Sequence, residues 1–217
     1  MNTRPTTVIL DWGGVFTRRP PGPTRRALER RLGLAPGGLG AFFREEDWLL
    51  HSTGRQTEAE FRCRVCAAFP LPPDAILGDR LWRHLFDDAP RRLTMVRILE
   101  QLTGRVRLGL LSNAGPSLRE GISPLLPLFD DVVISAEVGC RKPDPEIYQL
   151  ALGRLGVEAE ETLFIDDFAH NVAAARKLGI RAHRFRSPGR LIEALARHGL
   201  PLQNGEFEVP ATTLLTT

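Results

Sequence analysis

The chain has 217 residues, which is enough for one large domain or for a domain that carries an insertion. Hydrophobic residues make up 42% and charged residues 25%, as in ordinary soluble proteins, and no apolar run is long enough to span a bilayer. The 29 Lys and Arg against 26 Asp and Glu give a formal charge of only +3, with scattered arginines and no polybasic arm. We therefore expect no membrane and no nucleic-acid partner, whereas a weak attraction for small phosphorylated molecules fits this charge.

The N-terminus and the cysteines bear on the cell compartment. Met1 to Pro5 lead directly into a strand-like segment, so we expect no signal peptide and a cytoplasmic protein. The three cysteines form an odd set, which fits that compartment. Cys63 and Cys66 make a lone C-x-x-C without a second pair, on a helical stretch with Phe61. We expect both to pack in a core rather than to bind zinc.

Strand-like and helix-like segments alternate along most of the chain, which is typical of a parallel sheet built from βαβ units. Continuous apolar runs such as Val8-Ile9-Leu10 predict strands that are covered on both faces. The predicted strands cover roughly residues 7–11, 106–111, 131–135, 162–166 and 181–185. The expected fold class is α/β, with a Rossmann-like doubly wound parallel sheet.

The first two predicted strands are about ninety residues apart, which is too far for a single crossover. The stretch between them carries helical patterns, including a capping box from Thr57 to Glu60, and it follows a hinge-like segment from Pro20 to Pro23. We therefore predict a small α-helical cap domain inserted into the core. The predicted domains are a core of residues 1–15 and 91–203, a cap of residues 16–90 and a tail of residues 204–217.

Apolar residues recur at helical spacing in four segments that follow the predicted cap. In chain order these segments are Met95 to Leu102, Ile147 to Leu155, Val172 to Leu178 and Leu191 to Leu195. Pro145 suits the first turn of the second helix, and Gly179 suits the C-terminal end of the third. The four segments therefore predict the helices that pack on the sheet.

Polar residues follow three of the predicted strands. Asp11 ends the first strand, Ser112 and Asn113 end the second, and Asp166 and Asp167 end the fourth. The carboxyl ends of parallel strands meet at one edge of a sheet, where ligands of open α/β sheets bind. Lys142 precedes a predicted helix and brings a cation to the same edge. The sequence thus predicts an anionic cluster of the kind that needs a metal ion.

These motifs resemble those of the haloacid dehalogenase (HAD) superfamily, subfamily I, with a helical cap inserted between the first and second motifs. The first motif is similar to D-x-x-G-V at Asp11 to Val15, and the second is the Ser-Asn pair that begins at Ser112. The third is Lys142 within Gly-Cys-Arg-Lys-Pro-Asp-Pro, and the fourth is the Asp-Asp pair that begins at Asp166. Each motif is weak alone, but four in this order and spacing are specific, and the resemblance covers about residues 6–186.

The resemblance implies a phosphatase mechanism with a role for each motif residue. Asp11 would attack phosphorus and form an aspartyl-phosphate, because a carboxylate is already ionised at neutral pH. Ser112 would bind a phosphoryl oxygen, and Lys142 would neutralise both Asp11 and the transition state. A Mg²⁺ ion would be held by Asp11, Asp167 and the backbone carbonyl of Gly13, with Asp166 ligating it or supporting the site.

Gly13 departs from the pattern, since HAD phosphatases usually have a second acid two residues after the nucleophile. As the resemblance implies, that acid protonates the departing alkoxide and then activates water, which is typically worth about 10²–10⁴-fold. Three interpretations stay open: a phosphatase whose substrate needs little help or whose acid comes from the cap, a HAD hydrolase of different bond specificity, and a catalytically weak phosphate-binding or regulatory module. The Asp-Asp pair argues against a metal-free dehalogenase, and no Lys between Asp11 and Ser112 could form the Schiff base of a phosphonoacetaldehyde hydrolase.

Candidate substrate-binding residues lie next to the motifs and in the predicted cap. Gly14 would let the backbone approach the phosphate, and Asn113 belongs to the second motif. In the cap, His51 and Arg55 lie where a loop could reach the substrate, while we expect His170 to be a solvated residue at a helix start. We predict a Mg²⁺-dependent hydrolase of a small phosphorylated metabolite, with sugar phosphates as candidates, that is a monomer or a homodimer.

Overall fold

The computed structural model describes residues 4–17, 26, 29–30, 33–38, 46–68 and 92–203. Within them lies a five-stranded parallel sheet with the strand order β3-β2-β1-β4-β5. The strands are β1 Thr7–Leu10, β2 Arg107–Ser112, β3 Asp131–Ile134, β4 Thr162–Asp166 and β5 Arg181–Arg184. All five predicted strands are confirmed, and so is the α/β Rossmann-like fold class.

Helices follow or precede the strands throughout the described residues. They are α1 Glu46–Ser52, α2 Glu58–Ala68, α3 Leu93–Leu102, α4 Leu118–Gly121, α5 Ser135–Val138, α6 Pro145–Leu155, α7 Ala169–Lys177 and α8 Pro188–Arg197, with short 3₁₀ helices at Ser123–Leu128 and Ala159–Glu161. The four helices predicted after the cap are α3, α6, α7 and α8. As expected, Pro145 lies in the first turn of α6, and Gly179 follows α7 with a left-handed φ of 84°. None of the helices in the described part of the chain is long and apolar enough to cross a membrane.

The apolar core lies on both faces of the sheet. Because side chains alternate along a strand, Val8 and Leu10 of β1 join one cluster and Ile9 joins the other. The first cluster includes Leu99 of α3 and Leu195 of α8, and the second contains residues of α6 and α7. Helices on both faces explain why the strands read as continuous apolar runs in the sequence.

The middle of the sheet determines where a ligand can bind. β1 pairs with β2 on one side and with β4 on the other, so the chain order reverses at β1. A crevice at such a reversal lies beyond the carboxyl ends of the strands and is the usual ligand site of open α/β sheets. Asp11, Ser112 and Asp166 all lie at these strand ends.

The helices α1 and α2 lie between β1 and α3, in the part of the chain predicted to form the cap. The predicted capping box is present, because the Thr57 N–H donates to Glu60 Oε2 at 2.8 Å and the Glu60 N–H donates to Thr57 Oγ1 at 3.3 Å. The segment from Pro20 to Pro23, much of the predicted cap and the tail of residues 204–217 lie outside the described residues. The domain boundaries therefore stay a prediction.

The expectation that Cys63 packs in a core is wrong, because its side chain is exposed. Phe61 of α2 is fully buried. With 3.6 residues per turn, a residue two positions after Phe61 points about 200° away around the helix. Cys63 therefore lies on the face opposite to the buried one, while the side chain of Cys66 lies outside the described residues.

Candidate active site

Three polar residues lie buried at the carboxyl ends of the central strands. Asp11 follows β1, and its N–H donates to the carbonyl of Ile165 at 2.9 Å, which continues the pairing of β1 with β4 by one residue. Ser112 is the last residue of β2 and Asp166 is the last residue of β4. The side chains of all three are buried. Strand pairing therefore fixes the points from which these side chains project.

Lys142 lies between the carboxylates of Asp11 and Asp166. Its Nζ is 2.8 Å from Asp11 Oδ1 and 2.7 Å from Asp166 Oδ2, and it donates to the carbonyl of Leu111 at 2.7 Å. An ammonium group has three donors, so these three acceptors use all of them. The side chain is only 1% exposed, which makes the ion pairs strong and fixes the position of the cation.

Asn113 holds the backbone of Lys142. Its Nδ2 donates to the Lys142 carbonyl at 2.8 Å, and the Lys142 N–H donates back to its Oδ1 at 2.8 Å. This reciprocal pair ties the loop after β2 to the loop before α6. The structure thus assigns the Asn113 amide a positioning role, and its contact with a substrate stays a prediction.

Several donors hold the carboxylate of Asp166. Its Oδ1 accepts from the N–H of Phe168 at 2.7 Å, and Asn171 Nδ2 lies 3.1 Å from Oδ1 and 3.0 Å from Oδ2. Together with Lys142, these donors engage both carboxylate oxygens. Charged acceptors with several donors are strongly fixed in orientation. Asp166 is therefore suited to orienting the other groups.

A metal ion could be held by the cluster of Asp11, Asp166 and Asp167. Each offers a carboxylate oxygen, and the three oxygens lie within 4.8 Å of one another. The Lys142 ammonium contacts two of these carboxylates, Asp11 and Asp166, and a divalent cation would add further positive charge to the cluster. Hard oxygen ligands of this kind suit Mg²⁺. Both carboxylate oxygens of Asp166 accept hydrogen bonds, which suits this residue to supporting the site.

The ionisation of Asp11 depends on its burial and on its neighbours. Burial raises the pKa of the Asp11 carboxyl to about 7, the Lys142 ammonium opposes this rise, and the charge of Asp166 adds to it. Burial alone would lower the pKa of Lys142, but the carboxylates of Asp11 and Asp166 raise it above its ordinary value. Lys142 is therefore protonated at neutral pH, and a further cation would favour the ionised form of Asp11.

The two glycines after Asp11 differ in their surroundings. Gly14 has a left-handed φ of 80°, its N–H donates to Thr17 Oγ1 at 3.2 Å, and its carbonyl accepts from Arg92 Nη2 at 3.5 Å. Gly13 does not have a left-handed φ, and among the described residues no heavy atom outside its chain neighbours lies within 4 Å of the place that a Cβ would take. The space for a side chain at residue 13 is therefore open.

The two substrate-binding candidates from the predicted cap lie in different surroundings. His51 is 2% exposed, and its ring stacks on Phe61 with centroids 4.2 Å apart and planes 5° apart. Its imidazole lies against Gly115, two residues after Asn113. Arg55 is exposed, so of the two only His51 is shown in contact with the core loops. His170 is exposed in the first turn of α7, as expected.

The comparison with known families decides where this site belongs. Residues 38–179, more than half of the chain, match the hydrolase family described as haloacid dehalogenase-like hydrolase. The protein is a HAD-like hydrolase. Two relatives are informative: the chain is 41% identical over 214 residues to mouse acyl-CoA dehydrogenase family member 10, and 29% identical over 178 residues to the sesquiterpene phosphatase astK of Aspergillus oryzae.

The relatives and a solved HAD-family structure differ in how much of their own length matches this chain. The matched region takes 91% of this chain but only 20% of the mouse protein, whereas it takes 79% of this chain and 85% of astK. A HAD-family enzyme of Bacteroides thetaiotaomicron, solved with magnesium and inorganic phosphate, is similar with a TM-score of 0.69 and 21% identity. That similarity covers 83% of this chain and 94% of the other, and it shows the shared fold.

Several residues that support the HAD-like site were not predicted to have a role. Asn171 and the carbonyl of Leu111 hold Asp166 and Lys142. Arg141 donates to Ser52 of α1 at 3.1 Å, next to the catalytic candidate Lys142. In the sequence, Asn171 was notable only as a polar residue in the first turn of the helix that follows the Asp-Asp pair. Nothing in the sequence signalled the contact between Arg141 and Ser52, which are far apart in the chain.

Proposed function

We propose that the protein is a Mg²⁺-dependent phosphatase that hydrolyses a small phosphorylated metabolite through an aspartyl-phosphate on Asp11. The observation that carries this proposal is the buried ammonium of Lys142, held between Asp11 and Asp166. A carboxylate masked by a fixed cation can approach a negatively charged phosphoryl group, which an isolated carboxylate would repel. The name of astK, a sesquiterpene phosphatase, and the magnesium and phosphate of the Bacteroides structure support the same chemistry.

The reaction would have two steps at phosphorus. In the first, an oxygen of Asp11 forms a bond to phosphorus while the bond to the ester oxygen breaks, and the alkoxide leaves with the electron pair and takes a proton from solvent. In the second, water attacks the phosphorus of the aspartyl-phosphate and the bond from phosphorus to Asp11 breaks. The water loses a proton to solvent, inorganic phosphate is released and the carboxylate is restored. Lys142 would stabilise the charge on the phosphoryl oxygens in both steps, and Ser112 would donate a hydrogen bond to one of them.

The metal ion would be held by Asp11, Asp167 and the carbonyl of Gly13, with Asp166 supporting the site. Bound there, Mg²⁺ would supply charge neutralisation and would orient the phosphoryl group. The protein's own groups keep the ligands in place, because Lys142, Asn171 and the N–H of Phe168 fix the carboxylate of Asp166. Such supporting hydrogen bonds commonly change metal affinity when they are removed.

Gly13 defines the substrates that we expect. Since residue 13 cannot donate a proton, the leaving alcohol must depart with little help or receive its proton from elsewhere. Anomeric sugar phosphates have better leaving groups than primary sugar phosphates, so they are one class of candidate. Because astK is named a sesquiterpene phosphatase, phosphate esters of apolar alcohols are a second class. The predicted cap, with His51 and Arg55, is the expected source of substrate selection.

The test is phosphate release from a panel of phosphate esters, with and without Mg²⁺. The panel includes sugar 1-phosphates, sugar 6-phosphates, a prenyl monophosphate and an aryl phosphate. Wild type is compared with Asp11→Asn and with Glu120→Gln, which changes an exposed acid and serves as the matched control. We expect Mg²⁺-dependent release that is lost only in Asp11→Asn. Turnover that survives Asp11→Asn, or that ignores the metal, contradicts the mechanism.

The alternative is a catalytically weak phosphate-binding or regulatory module, which the glycine at residue 13 favours. The same panel distinguishes it from the phosphatase. If every ester stays intact while a phosphorylated compound raises the melting temperature of the protein, the binding module is supported. Equal rates on sugar 1-phosphates and 6-phosphates would remove the support for anomeric substrates.

A further inference from the structure

Two consecutive residues of α1 contact two different loops of the core. The imidazole of His51 covers Gly115: a Cβ added to that glycine would lie 2.1 Å from His51 Nε2 and 2.7 Å from Cε1. The next residue, Ser52, accepts a hydrogen bond at 3.1 Å from Nη1 of Arg141. Both His51 and Ser52 are buried. The end of α1 is therefore in direct contact with the loop after β2 and with the loop before α6.

A third contact comes from the turn that follows α1. Gly54 has a left-handed φ of 71°, and a Cβ added to it would lie 2.1 Å from the carbonyl oxygen of Ala136 in α5. Only a glycine fits this place, because both the backbone conformation and the close approach exclude a side chain. We name residues 51–55, which comprise the end of α1 and the turn that follows it, the α1–α2 turn. This segment contacts the core where His51 covers Gly115, where Gly54 approaches Ala136, and through the hydrogen bond from Arg141 to Ser52.

The two core loops that the α1–α2 turn contacts carry catalytic candidates and are bonded to each other. Gly115 lies two residues after Asn113, and Arg141 lies directly before Lys142. Asn113 and the backbone of Lys142 exchange two hydrogen bonds of 2.8 Å each. A displacement of either loop would therefore be passed to the backbone of Lys142, whose ammonium contacts Asp11.

The His51 side chain is held firmly enough to transmit such a displacement. Its ring stacks on Phe61 with centroids 4.2 Å apart, and the centroid of the Trp48 ring lies 5.9 Å from that of His51. Its Nε2 is 3.6 Å from Glu58 Oε2. A buried ring packed against aromatic side chains has few alternative rotamers to adopt. A larger side chain at Gly115 would consequently move the loop or the α1–α2 turn as a whole.

We propose that His51 is a positioning residue, and that the α1–α2 turn acts as a clamp that sets the Ser112–Asn113 and Arg141–Lys142 loops in the geometry that catalysis needs. The effect on turnover rests on the proposed phosphatase function, whereas the effect on the two loops does not. In this role the buried His51 ring acts through its contact with Gly115.

The test is a set of matched substitutions at the contact between His51 and Gly115. Gly115→Ala introduces the Cβ that His51 excludes, at a residue without a left-handed φ, and His51→Ala makes room for it. Gly153→Ala is the control, because a Cβ there meets nothing within 4 Å among the described residues. We expect Gly115→Ala to lower kcat about 10- to 100-fold with little change in KM, since small misplacements of catalytic groups have effects of that size.

The double variant Gly115→Ala/His51→Ala decides between a clamp and general damage. His51→Ala alone should lower kcat less than Gly115→Ala does, because it removes a contact without forcing a displacement. The kcat of the double variant should rise from that of Gly115→Ala to that of His51→Ala, because the clash is gone. Wild-type kinetics in Gly115→Ala, or a double variant as impaired as Gly115→Ala, overturns the proposal. If Gly115→Ala does not fold, Ser52→Ala should still lower kcat, because it removes the bond from Arg141 together with a long 3.4 Å bond from Ser52 Oγ to the Leu49 carbonyl within α1. Wild-type kinetics in Ser52→Ala overturns the proposal.

A second readout separates failure of the clamp from failure of the phosphatase proposal. Amide hydrogen exchange at residues 113–115 and 141–142 should be faster in Gly115→Ala than in wild type, and closer to that of His51→Ala in the double variant. This measurement needs no substrate. If wild type releases no phosphate from any ester, the phosphatase proposal fails, and unchanged exchange at both loops would overturn the clamp as well.

Discussion

Gly13→Asp restores an acid where HAD phosphatases usually carry one, and the structure allows it. No described heavy atom beyond the chain neighbours lies within 4 Å of the added Cβ, and the backbone is not in the left-handed region that favours glycine. The substitution should therefore cause no clash in the described structure. Losing a glycine lowers the conformational entropy of the unfolded chain, which contributes about 0.4–1 kcal/mol to stability. We expect a folded protein with a new proton donor beside Asp11.

The size of the gain follows from the chemistry of the leaving group. A positioned general acid is worth about 10²–10⁴-fold when the departing alkoxide is a poor leaving group, and little when the leaving group is already stable. Gly13→Asp should thus raise kcat/KM for alkyl phosphates and hardly change it for a nitrophenyl phosphate. The assay is kcat/KM at saturating Mg²⁺ over a series of esters, plotted against the pKa of the leaving alcohol.

The slope of that plot tests the reasoning. Wild type should show a steep decline as the leaving-group pKa rises, and Gly13→Asp should show a flatter one. Gly153→Asp, at an exposed position with equal space, should keep the wild-type slope. A shallow slope in wild type, left unchanged by Gly13→Asp, would show that another group already supplies the proton, and it would refute our account of Gly13.

Three further predictions concern the buried polar groups. Lys142→Met should cost about 3–5 kcal/mol of unfolding free energy in metal-free urea titrations at neutral pH, because it leaves buried carboxylates unpaired; a loss below about 1 kcal/mol contradicts the buried ion pairs. Burial lowers the pKa of His51, so its contribution to stability is present above about pH 6.5 and is lost as the pH falls through the lower folded value. In His51→Asn the urea midpoint of unfolding should therefore fall less than in wild type between about pH 8 and pH 5. An equal fall in both proteins would mean that other groups cause it. Asn171→Leu should weaken Mg²⁺ binding about 10- to 100-fold by calorimetry, since Asp166 loses two donors, and unchanged affinity would remove Asn171 from the site.

The sheet could be predicted because its sequence signal is local. Each strand is a short apolar run that ends at a polar residue, and helices on both faces make the run continuous. Because parallel strands end at the same edge of a sheet, the shared location of Asp11, Ser112 and Asp166 could also be predicted. Strand order and the pairing of β1 with β4 then bring Asp11 and Asp166 within reach of one ammonium.

The contacts that hold the site could not be predicted, because they depend on distances between remote segments. The sequence shows Asn113 beside Ser112, but only the fold shows that its amide is used by the backbone of Lys142. The exposure of Cys63 was missed because a helix has two faces, and the composition of α2 did not show which one is buried. The contact of His51 with Gly115 likewise joins residues more than sixty positions apart.

The central claim is that Asp11 becomes phosphorylated during turnover. The most direct measurement is rapid acid quenching of the enzyme during turnover of a good substrate with Mg²⁺, followed by mass spectrometry of the peptide that contains Asp11. We predict one added phosphoryl group on that carboxylate. It should form at least as fast as the enzyme turns over, and it should be absent from Asp11→Asn. Turnover at full rate without any phosphorylated Asp11, in quenches fast enough to trap it, would contradict the account.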